Sequence, residues 1–421
     1  MTEPRQRIAI VGAGVSGLTT AWLLAQHHEV TLFEAGDYAG GHTNTQTVKA
    51  GGQDWPVNTG FIVFNDWTYP NFIKLMDRLG VASEVSSMSF SVDCNTTGLE
   101  YNGNSLNTLF AQRRNLFNPR FLNMIREIVK FNKQTRADLA SGSIDNAETL
   151  GEYLTRNGYS NYFRNNYIVP MGAAIWSAPE MVLERFPIRF FLQFFNNHGM
   201  LSVDDRPTWR VITGGSACYV DRMMDSLKPH TRLQSPVDSV KRHDSGVTLQ
   251  VRGEEHAFDQ VVFACHSDQA LNMLADPSPR EREILGAIPY QNNDVVLHTD
   301  ASVLPEERRA WAAWNYFIPR RNDEAVSVTY NMNILQNFDD APETFCVTLN
   351  RTHDIDPDRI LHRYEYAHPV FSLEAVAAQE RYAEIGGLNR SHFCGAYWFN
   401  GFHEDGVRSA LRVTEMFGIG L

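Results

Sequence analysis

The chain has 421 residues, of which 43% are hydrophobic and 20% charged, and its 37 Lys and Arg against 49 Asp and Glu give a formal charge of −12. A chain of this size and apolar content buries roughly three quarters of its unfolded surface, which excludes disorder as the main state. The acidic balance and the lack of any basic run longer than a pair argue against nucleic-acid binding, which requires clustered Lys and Arg.

The cysteines and the apolar runs indicate the cellular compartment of the protein. The 5 cysteines are scattered and form no C-x-x-C pair, so the sequence predicts neither a disulfide framework nor a metal site. No signal-peptide core precedes the first strand-like run, and no run approaches the ~20 apolar residues of a spanning helix. We therefore expect a cytoplasmic protein whose contact with the inner face of the membrane, if it has one, is peripheral.

The first elements of the chain match a dinucleotide-binding fingerprint. An apolar strand over Ile8–Val11 leads into Gly12-Ala13-Gly14-Val15-Ser16-Gly17, a helix is predicted over Leu18–His27, and a second strand over Val30–Phe33 ends in Glu34. The three glycines permit a tight turn, close approach of backbone to a pyrophosphate, and close helix–strand packing. The acidic residue can accept hydrogen bonds from ribose hydroxyls, so the sequence predicts a Rossmann-type dinucleotide site.

A second glycine-rich segment follows Glu34. It contains Gly40-Gly41-His42-Thr43 and resembles the extended fingerprint of the FAD-dependent amine oxidase and phytoene desaturase superfamily. That resemblance implies FAD as the cofactor, and paired glycines let backbone amides approach an anion closely. His42 stands where those families usually carry Arg, so a titratable group replaces a fixed positive charge.

Further motifs narrow the resemblance. The segments are Thr59–Asn65, Tyr69–Asn71, Ser87–Val92 and Gly401–Gly406. They are similar to bacterial predicted FAD-binding oxidoreductases that resemble the N-terminal flavoprotein domain of plant cyclopropane fatty acid synthases. The resemblance implies an acyl lipid or fatty acid substrate with an unsaturated, cyclopropane or methyl-branched chain, and a lipid methyltransferase as a candidate partner.

The middle of the chain carries an aromatic-rich segment. Residues 76–204 are expected to be largely helical, and Phe186–Phe195 places aromatic side chains on one broad helical face. That face can line an acyl tunnel or pack as ordinary core, and the sequence leaves both interpretations open. It is also where we expect so acidic a lipid enzyme to contact a membrane.

Two later segments are predicted to return to the cofactor. Pro236–Val251 is interpreted as two strands around a turn and Asp259–His266 as an apolar strand, and the resemblance implies that the backbone of Val237 contacts adenine. The strand at Phe393–Tyr397 and the helix after Gly401 resemble a second flavin fingerprint, whose helix amides stabilise negative charge. Gly395-Ala396 lacks the carboxylate that flavin families usually offer to the ribityl chain.

The candidate site residues fall into two groups. Those assigned to the cofactor are Gly12, Gly14, Ser16, Gly17, Glu34, Gly40, Gly41, His42, Thr43, Gly60, Phe61, Val237, Gly395, Ala396, Phe402, His403, Glu404 and Ser409. Those assigned to catalysis are His403, Trp176, Tyr330 and Phe402.

These catalytic candidates each have an alternative role. His403 can move a proton or tune the flavin, or it can contribute only its backbone while Glu404 and Asp405 cap a helix. Phe402 aligns with one position of the aromatic cage of amine oxidases. Trp176 and Tyr330 either orient a ligand or serve the core.

The predicted fold is α/β, a Rossmann-like FAD-binding domain of the glutathione reductase or amine oxidase type with an interleaved mixed α+β substrate domain. The FAD-binding domain comprises 1–75, 205–280 and 390–421, and the substrate domain comprises 76–204 and 281–389. The predicted function is FAD-dependent dehydrogenation, desaturation or isomerisation of fatty acyl chains. The alternatives are a flavin-containing amine oxidase and a noncatalytic FAD-binding partner of a lipid methyltransferase.

Overall fold

The structure, a computed structural model, describes residues 4–177, 179–202, 204–320 and 326–421. The strands are β1 (Arg7–Val11), β2 (Glu29–Phe33), β3 (Thr45–Ala50), β4 (Gln53–Asn58), β5 (Phe64–Asn65), β6 (Ser83–Val85), β7 (Phe90–Cys94), β8 (Leu99–Asn102), β9 (Trp209–Ile212), β10 (Thr231–Arg232), β11 (Val237–His243), β12 (Gly246–Val251), β13 (Glu254–Phe258), β14 (Gln260–Phe263), β15 (Tyr290–His298), β16 (Trp314–Ile318), β17 (Ser327–Asn331), β18 (Cys346–Leu349), β19 (Ile360–Pro369) and β20 (Ser391–Phe393). The helices are α1 (Val15–Leu24), α2 (Pro70–Leu79), α3 (Leu106–Leu109), α4 (Pro119–Ser141), α5 (Leu150–Arg156), α6 (Asn161–Phe163), α7 (Val169–Trp176), α8 (Glu180–Leu183), α9 (Ile188–Asn197), α10 (Ala217–Leu227), α11 (Ser267–Met273), α12 (Pro279–Gly286), α13 (Met332–Leu335), α14 (Leu373–Glu380) and α15 (His403–Glu415).

A parallel sheet holds the N-terminal and C-terminal parts of the chain together. Its order is β10-β2-β1-β14-β20, and every neighbouring pair runs parallel. The apolar residues of β1 and β14 are buried, as expected for central strands covered on both faces. The predicted α/β fold with a Rossmann-like sheet is confirmed, although the first helix begins at Val15 rather than at Leu18.

A second, mixed sheet of 7 strands has the order β19-β15-β18-β17-β16-β7-β8. Its pairs are antiparallel except for β16 and β7, which run parallel. The expectation that residues 76–204 are largely helical is therefore wrong for the hairpin β7–β8. Those strands are short, and their partner β16 lies far along the chain, so local periodicity does not reveal them.

The helices between β8 and β9 surround a core of aromatic side chains. Helix α4 starts at Pro119, where the Asn118 side chain accepts hydrogen bonds from two backbone amides, and it ends at Gly142 in the left-handed conformation. Helix α9 buries Phe191, Phe194 and Phe195 against this core. Within the described ranges, every helix is too short or too polar to traverse a lipid bilayer.

Two smaller sheets complete the frame of the site. Strands β11, β12 and β13 form an antiparallel sheet, so the segment predicted as two strands continues into a third. Strands β5, β9 and β6 form another, which joins residues on both sides of the predicted domain boundary at residue 76. The division of the chain into two domains stays a prediction.

Candidate active site

The turn between β1 and α1 admits no side chain at two of its glycines. Gly12 has φ +103°, and a Cβ on it would lie 2.8 Å from the carbonyl oxygen of Ala264. A Cβ on Gly17 would lie 1.9 Å from the carbonyl oxygen of Gly12. Gly14 differs, because a Cβ there would meet no atom within 4 Å. The first turn of α1 therefore faces open space, without a capping side chain or an acidic residue, as an anion site requires.

The Glu34 carboxylate binds backbone amides of this turn and of the segment that follows β2. Its two oxygens accept hydrogen bonds from the backbone amides of Ala13, at 2.7 Å, and Gly36, at 2.8 Å. Each oxygen keeps lone pairs for a further donor, such as a ribose hydroxyl. The amide of Gly40 donates to the carbonyl of Ala13 at 2.8 Å, which docks the second glycine-rich segment onto the first.

His42 lies at the centre of a group of rings, of which Tyr366 is buried and the three histidines are half-buried. Its ring centroid is 4.8 Å from that of Tyr366, 5.5 Å from His368 and 6.4 Å from His266. Burial, aided by His368 and His266, lowers the pKa of His42 to about 3, so the imidazole is neutral at pH 7.

One nitrogen of the histidine group has no hydrogen-bond partner among the described residues. The Nε2 atom of His42 is buried and has no hydrogen-bond partner, although buried polar atoms nearly always have one. Among the described residues, no group of three or more His, Cys, Asp or Glu side chains is arranged to hold a metal ion. The free nitrogen of His42 is one polar contact that a ligand could take up.

His403 joins the two glycine-rich segments to α15. Its Nε2 lies 2.8 Å from the hydroxyl of Thr43 and 2.9 Å from that of Tyr219, and the ring of Phe61 stacks on the imidazole at 3.5 Å. Burial lowers the pKa of His403 well below its usual value. A neutral imidazole between two hydroxyls can accept or pass on a proton. The alternative in which His403 contributes only its backbone does not match this geometry.

Glu404 and Asp405 cap two different helices. The Asp405 carboxylate accepts a hydrogen bond from the amide of Phe402 at 2.9 Å, which caps α15 as expected. The Glu404 carboxylate instead accepts from the amides of Asn71 and Phe72 at the start of α2. The expectation that Glu404 caps its own helix is wrong, because its carboxylate binds the first backbone amides of α2 instead. Its assignment to the cofactor stays a prediction.

Small residues lock α1 to α15. The hydroxyl of Ser16 donates to the carbonyl of Gly406 at 3.0 Å, and a Cβ on Gly406 would lie 2.6 Å from the side chain of Val15. The hydroxyl of Ser409 accepts from the amide of Gly395 at 2.9 Å. These contacts bring the two fingerprints together, since the turn after β20 starts at Gly395.

The remaining cofactor candidates are Gly60, Val237 and Ala396. Gly60 approaches the backbone of His42, because a Cβ on Gly60 would lie 2.0 Å from the His42 carbonyl oxygen. Val237 is buried where β11 begins, and Ala396 opens a short 3₁₀ turn. Their contacts with adenine and the ribityl chain stay predictions.

A wall of aromatic side chains extends from the loop that precedes His403. This apolar wall consists of Trp176, Phe186, Phe190, Phe194, Phe371 and Phe402. Phe402 stacks on Phe194 with the ring centroids 5.0 Å apart, and Phe194 lies 4.8 Å from Trp176. The indole nitrogen of Trp176 donates to the carbonyl of Asn400 at 3.3 Å, which ties α7 to the same loop.

Tyr330 packs against the same hydrophobic cluster as the apolar wall, but from the 7-stranded sheet. Its ring packs edge-on against Trp314, 4.9 Å away in the 7-stranded sheet, and burial raises the pKa of its hydroxyl. The structure thus brings Trp176, Phe402 and His403 to one region, and Tyr330 packs against the same hydrophobic cluster from the sheet. Sequence reasoning missed Tyr219, His266 and His368, which reach the site from α10, the loop after β14, and β19 without any local motif.

Comparisons with known proteins give this geometry a context. The chain matches the flavin-containing amine oxidoreductase family over residues 15–338. It is 25% identical over 316 residues to an L-amino-acid oxidase of Siganus canaliculatus, an alignment that covers 71% of this chain and 58% of that protein. The chain spans about half the length of the curated relatives it matches.

Two solved structures are similar in fold. The CLA-producing fatty acid isomerase from P. acnes has a TM-score of 0.70 at 17% identity, over 98% of this chain and 99% of that one. Cyclohexylamine oxidase from Brevibacterium oxydans IH-35A has a TM-score of 0.68 at 16% identity, over 99% and 100%. At such identities the likeness concerns the fold alone.

Proposed function

The chain belongs to the flavin-containing amine oxidoreductases, a family of FAD-dependent enzymes, and from this membership we propose that it oxidises or isomerises fatty acyl chains. The family establishes the cofactor, FAD. The acyl substrate is our own proposal. The apolar wall beside His403 is the observation that carries it.

The residues of the nucleotide end, which comprises the turn at Gly12–Gly17 with Glu34 and His42, fit FAD. The uncapped first turn of α1 and the open space at Gly14 suit a pyrophosphate, and Glu34 keeps lone pairs for a ribose hydroxyl. The unpartnered Nε2 of His42 offers one further polar contact. These residues would hold the dinucleotide, and the start of α15 would face the ring system, where helix amides stabilise negative charge.

The half-buried members of the apolar wall, Phe190 and Phe402, are the ones that could meet a hydrocarbon chain, because Phe186, Phe194 and Phe371 are at most 3% exposed. The polar atoms beside them already have partners. Trp176 donates to a backbone carbonyl, and both ring nitrogens of the neighbouring His198 lie within hydrogen-bond distance of other groups. Burial lowers the pKa of His198 to about 4, so it adds no charge at neutral pH. A chain of methylene groups would gain about 0.8 kcal/mol for each group buried there.

Phe402 could supply only one side of an amine cage. One of its faces is stacked on Phe194, so its other face alone could meet an amine, and a cage needs a second ring opposite it. Because the apolar wall carries the acyl proposal, we rank amine oxidation second. The fatty acid isomerase among the similar folds supports the acyl proposal, and the cyclohexylamine oxidase keeps the amine alternative open to test.

His403 would manage the proton in the reaction. FAD, when bound, would supply the hydride chemistry for either reaction. In a dehydrogenation, which loses a proton as well as a hydride, neutral His403, held by Thr43 and Tyr219, would take that proton or relay it through the two hydroxyls. An isomerisation that returns the hydride to the same chain releases no proton, so it would not need this role. The wall would orient the chain and exclude water.

The test is anaerobic reduction of the bound flavin. We expect unsaturated fatty acids, or phospholipids that carry them, to bleach the flavin absorbance or to yield a shifted double bond by mass spectrometry. Release of hydrogen peroxide with an amine panel and not with lipid would reverse the ranking. Bound flavin that no acyl substrate reduces or isomerises, together with co-purification of a lipid methyltransferase, would favour the noncatalytic alternative.

A matched pair of variants ties the result to the wall. Phe190→Gln places a polar group in the wall and should abolish acyl turnover while leaving the flavin bound. Phe338→Gln makes the same change at a half-buried phenylalanine in a different cluster and should leave turnover intact. Equal loss in both variants would point to general destabilisation and would contradict the assigned wall.

A further inference from the structure

The exposed side of α4 carries an unusual run of positive charge. The residues that form this α4 basic face are Arg120, Arg126, Lys130, Lys133 and Arg136. Spacings of four, three and three residues place Arg126, Lys130, Lys133 and Arg136 on one side of the helix, opposite the buried Phe121, Met124, Phe131 and Thr135. Arg120 lies at the flank of this side, in the first turn.

The local charge is opposite to that of the rest of the protein. Residues 104–141 contain seven Lys and Arg against two acidic residues, which gives a charge of +5. Because the whole chain carries −12, the rest of the chain carries −17. The two acidic residues are turned away from the face. Glu127 accepts hydrogen bonds from Ser160, and Asp138 accepts one from the hydroxyl of Tyr153.

The charges of this face are not neutralised by the protein itself. Across the described ranges, none of the five residues forms an ion pair with a carboxylate. Lys130 and Arg136 donate only to backbone carbonyls, those of Asn157 and Asn132. Five cations on one helix face therefore point to an anionic surface outside the molecule.

Large apolar side chains are exposed on α4 and in the segments that lead into it. Phe117, directly before α4, is 88% exposed, Leu106 in α3 is 77% exposed, and Val129 on the helix itself is 58% exposed. Leu116 is 46% exposed beside Phe117. Burying one such side chain in an apolar medium is worth about 1.5–3 kcal/mol, so their exposure calls for a partner with an apolar interior.

We propose that the α4 basic face and its apolar border, Leu106, Leu116 and Phe117, form a docking surface for an anionic lipid bilayer. The cations would contact lipid headgroups, and the exposed Phe and Leu side chains would enter the acyl boundary, as in other interfacial helices. A nucleic acid would use the charges but would not bury the leucines of the apolar border. The acidic remainder of the molecule would be repelled, which orients the protein on the membrane.

This surface replaces the one expected from the sequence. Phe186, Phe191, Phe194 and Phe195 are each at most 3% exposed, so these four side chains are not free to enter a membrane. Helix α4 nevertheless packs on α9, which carries part of the apolar wall. Docking through α4 would therefore place the membrane next to the helices that carry the apolar wall, of which Phe402 is a member.

Vesicle co-sedimentation of the purified flavoprotein tests the charges without any need for turnover. We expect binding to phosphatidylcholine vesicles that contain about 30% phosphatidylglycerol, weak binding to pure phosphatidylcholine, and loss of binding when salt is raised. Arg126→Glu with Lys133→Glu removes two side chains that make no hydrogen bond of their own. Because each basic residue is worth about fivefold in affinity, this variant should bind at least about 25-fold more weakly.

Matched controls show whether the location of the changes on α4 matters, rather than only the change in total charge or in exposed apolar surface. Lys49→Glu with Lys241→Glu makes the same charge change on β3 and β11 and should alter binding by less than the α4 variant. Phe117→Ser should weaken binding about tenfold, whereas Leu388→Ser, at a position 51% exposed elsewhere, should not.

Three outcomes would overturn the proposal. They are equal binding to neutral and anionic vesicles, equal losses in the α4 and control variants, and binding to single-stranded RNA without binding to vesicles. Flavin content and turnover are separate readouts, so failure of the acyl proposal would leave the vesicle result standing, and the reverse holds as well.

Discussion

The nucleotide end and the apolar wall restrict a ligand by different means. At the nucleotide end, backbone atoms approach so closely that a single added Cβ on Gly17 would overlap a carbonyl oxygen. At the wall, side chains such as Phe194 and Phe402 touch at ordinary ring distances and can exchange volume with their neighbours. The first region is specified by backbone geometry and the second by side-chain volume. Substitutions of similar size should therefore have unequal consequences in the two regions.

Gly17→Ala should produce the largest effect. The added Cβ would lie 1.9 Å from the Gly12 carbonyl oxygen, so α1 must move away from the turn. We expect a loss of about 3 kcal/mol in the free energy of unfolding, together with loss of bound flavin. Urea unfolding and the flavin absorbance of the purified protein measure the two effects.

Gly14→Ala is the control for that prediction. At Gly14 the backbone has φ −73° and a Cβ meets no protein atom, so stability without flavin should change by less than about 0.5 kcal/mol. Flavin affinity should still fall, because the methyl group occupies the space expected to hold the pyrophosphate. If both variants lose stability equally, the proposed difference between a packing glycine and a ligand-facing glycine is wrong.

His403→Gln tests the point where the two regions meet. Glutamine can keep a hydrogen bond to Thr43 or Tyr219 but cannot take up a proton, so the rate of substrate-dependent flavin reduction should fall about 100-fold. Stopped-flow absorbance measures the rate, and the flavin content should not change. Tyr219→Phe, which removes one hydroxyl and keeps the imidazole, should cause a smaller loss. An unchanged rate in His403→Gln would exclude His403 from proton transfer.

His42 makes the nucleotide end sensitive to acid. Its pKa is about 3 in the folded protein against an ordinary value near 6.5, so the unfolded chain binds a proton that the folded chain refuses. Stability should therefore fall as the pH drops below about 6.5 and stop falling below about 3. This histidine alone should account for about 2 kcal/mol between pH 7 and pH 5.

His42→Gln checks this contribution in the protein freed of flavin. Replacing the imidazole should reduce the difference in unfolding free energy between pH 7 and pH 5 by about 2 kcal/mol. His243→Gln is a matched change at an exposed histidine in β11 and should leave the difference unaltered. The same pH dependence in His42→Gln and the unmodified protein would mean that His42 is protonated in the folded state.

The two regions also differ in how far the sequence reveals them. The turn at Gly12–Gly17 is built from neighbouring residues, and the strand, helix and family could be inferred from that short segment. The group around His403 could not, because Tyr219 is separated from Thr43 by 176 positions and reaches it only through the packing of α10. Nothing in the local pattern of Phe90–Cys94 reveals its parallel pairing with β16. Contacts between distant segments depend on tertiary packing, which periodicity does not encode.

Trp176→Phe should have the smallest effect, and it asks whether the wall only holds the substrate. Phenylalanine keeps an aromatic ring against Phe194 but loses the hydrogen bond from the indole nitrogen to the Asn400 carbonyl. One neutral hydrogen bond is worth about 1 kcal/mol, so the melting temperature should drop by a few degrees. Turnover should stay within about threefold, because no proton or charge at this position takes part in the reaction. A loss of turnover comparable with that of His403→Gln, at unchanged flavin content, would instead assign Trp176 to the chemistry and remove the distinction between a wall defined by volume and a site defined by hydrogen bonds.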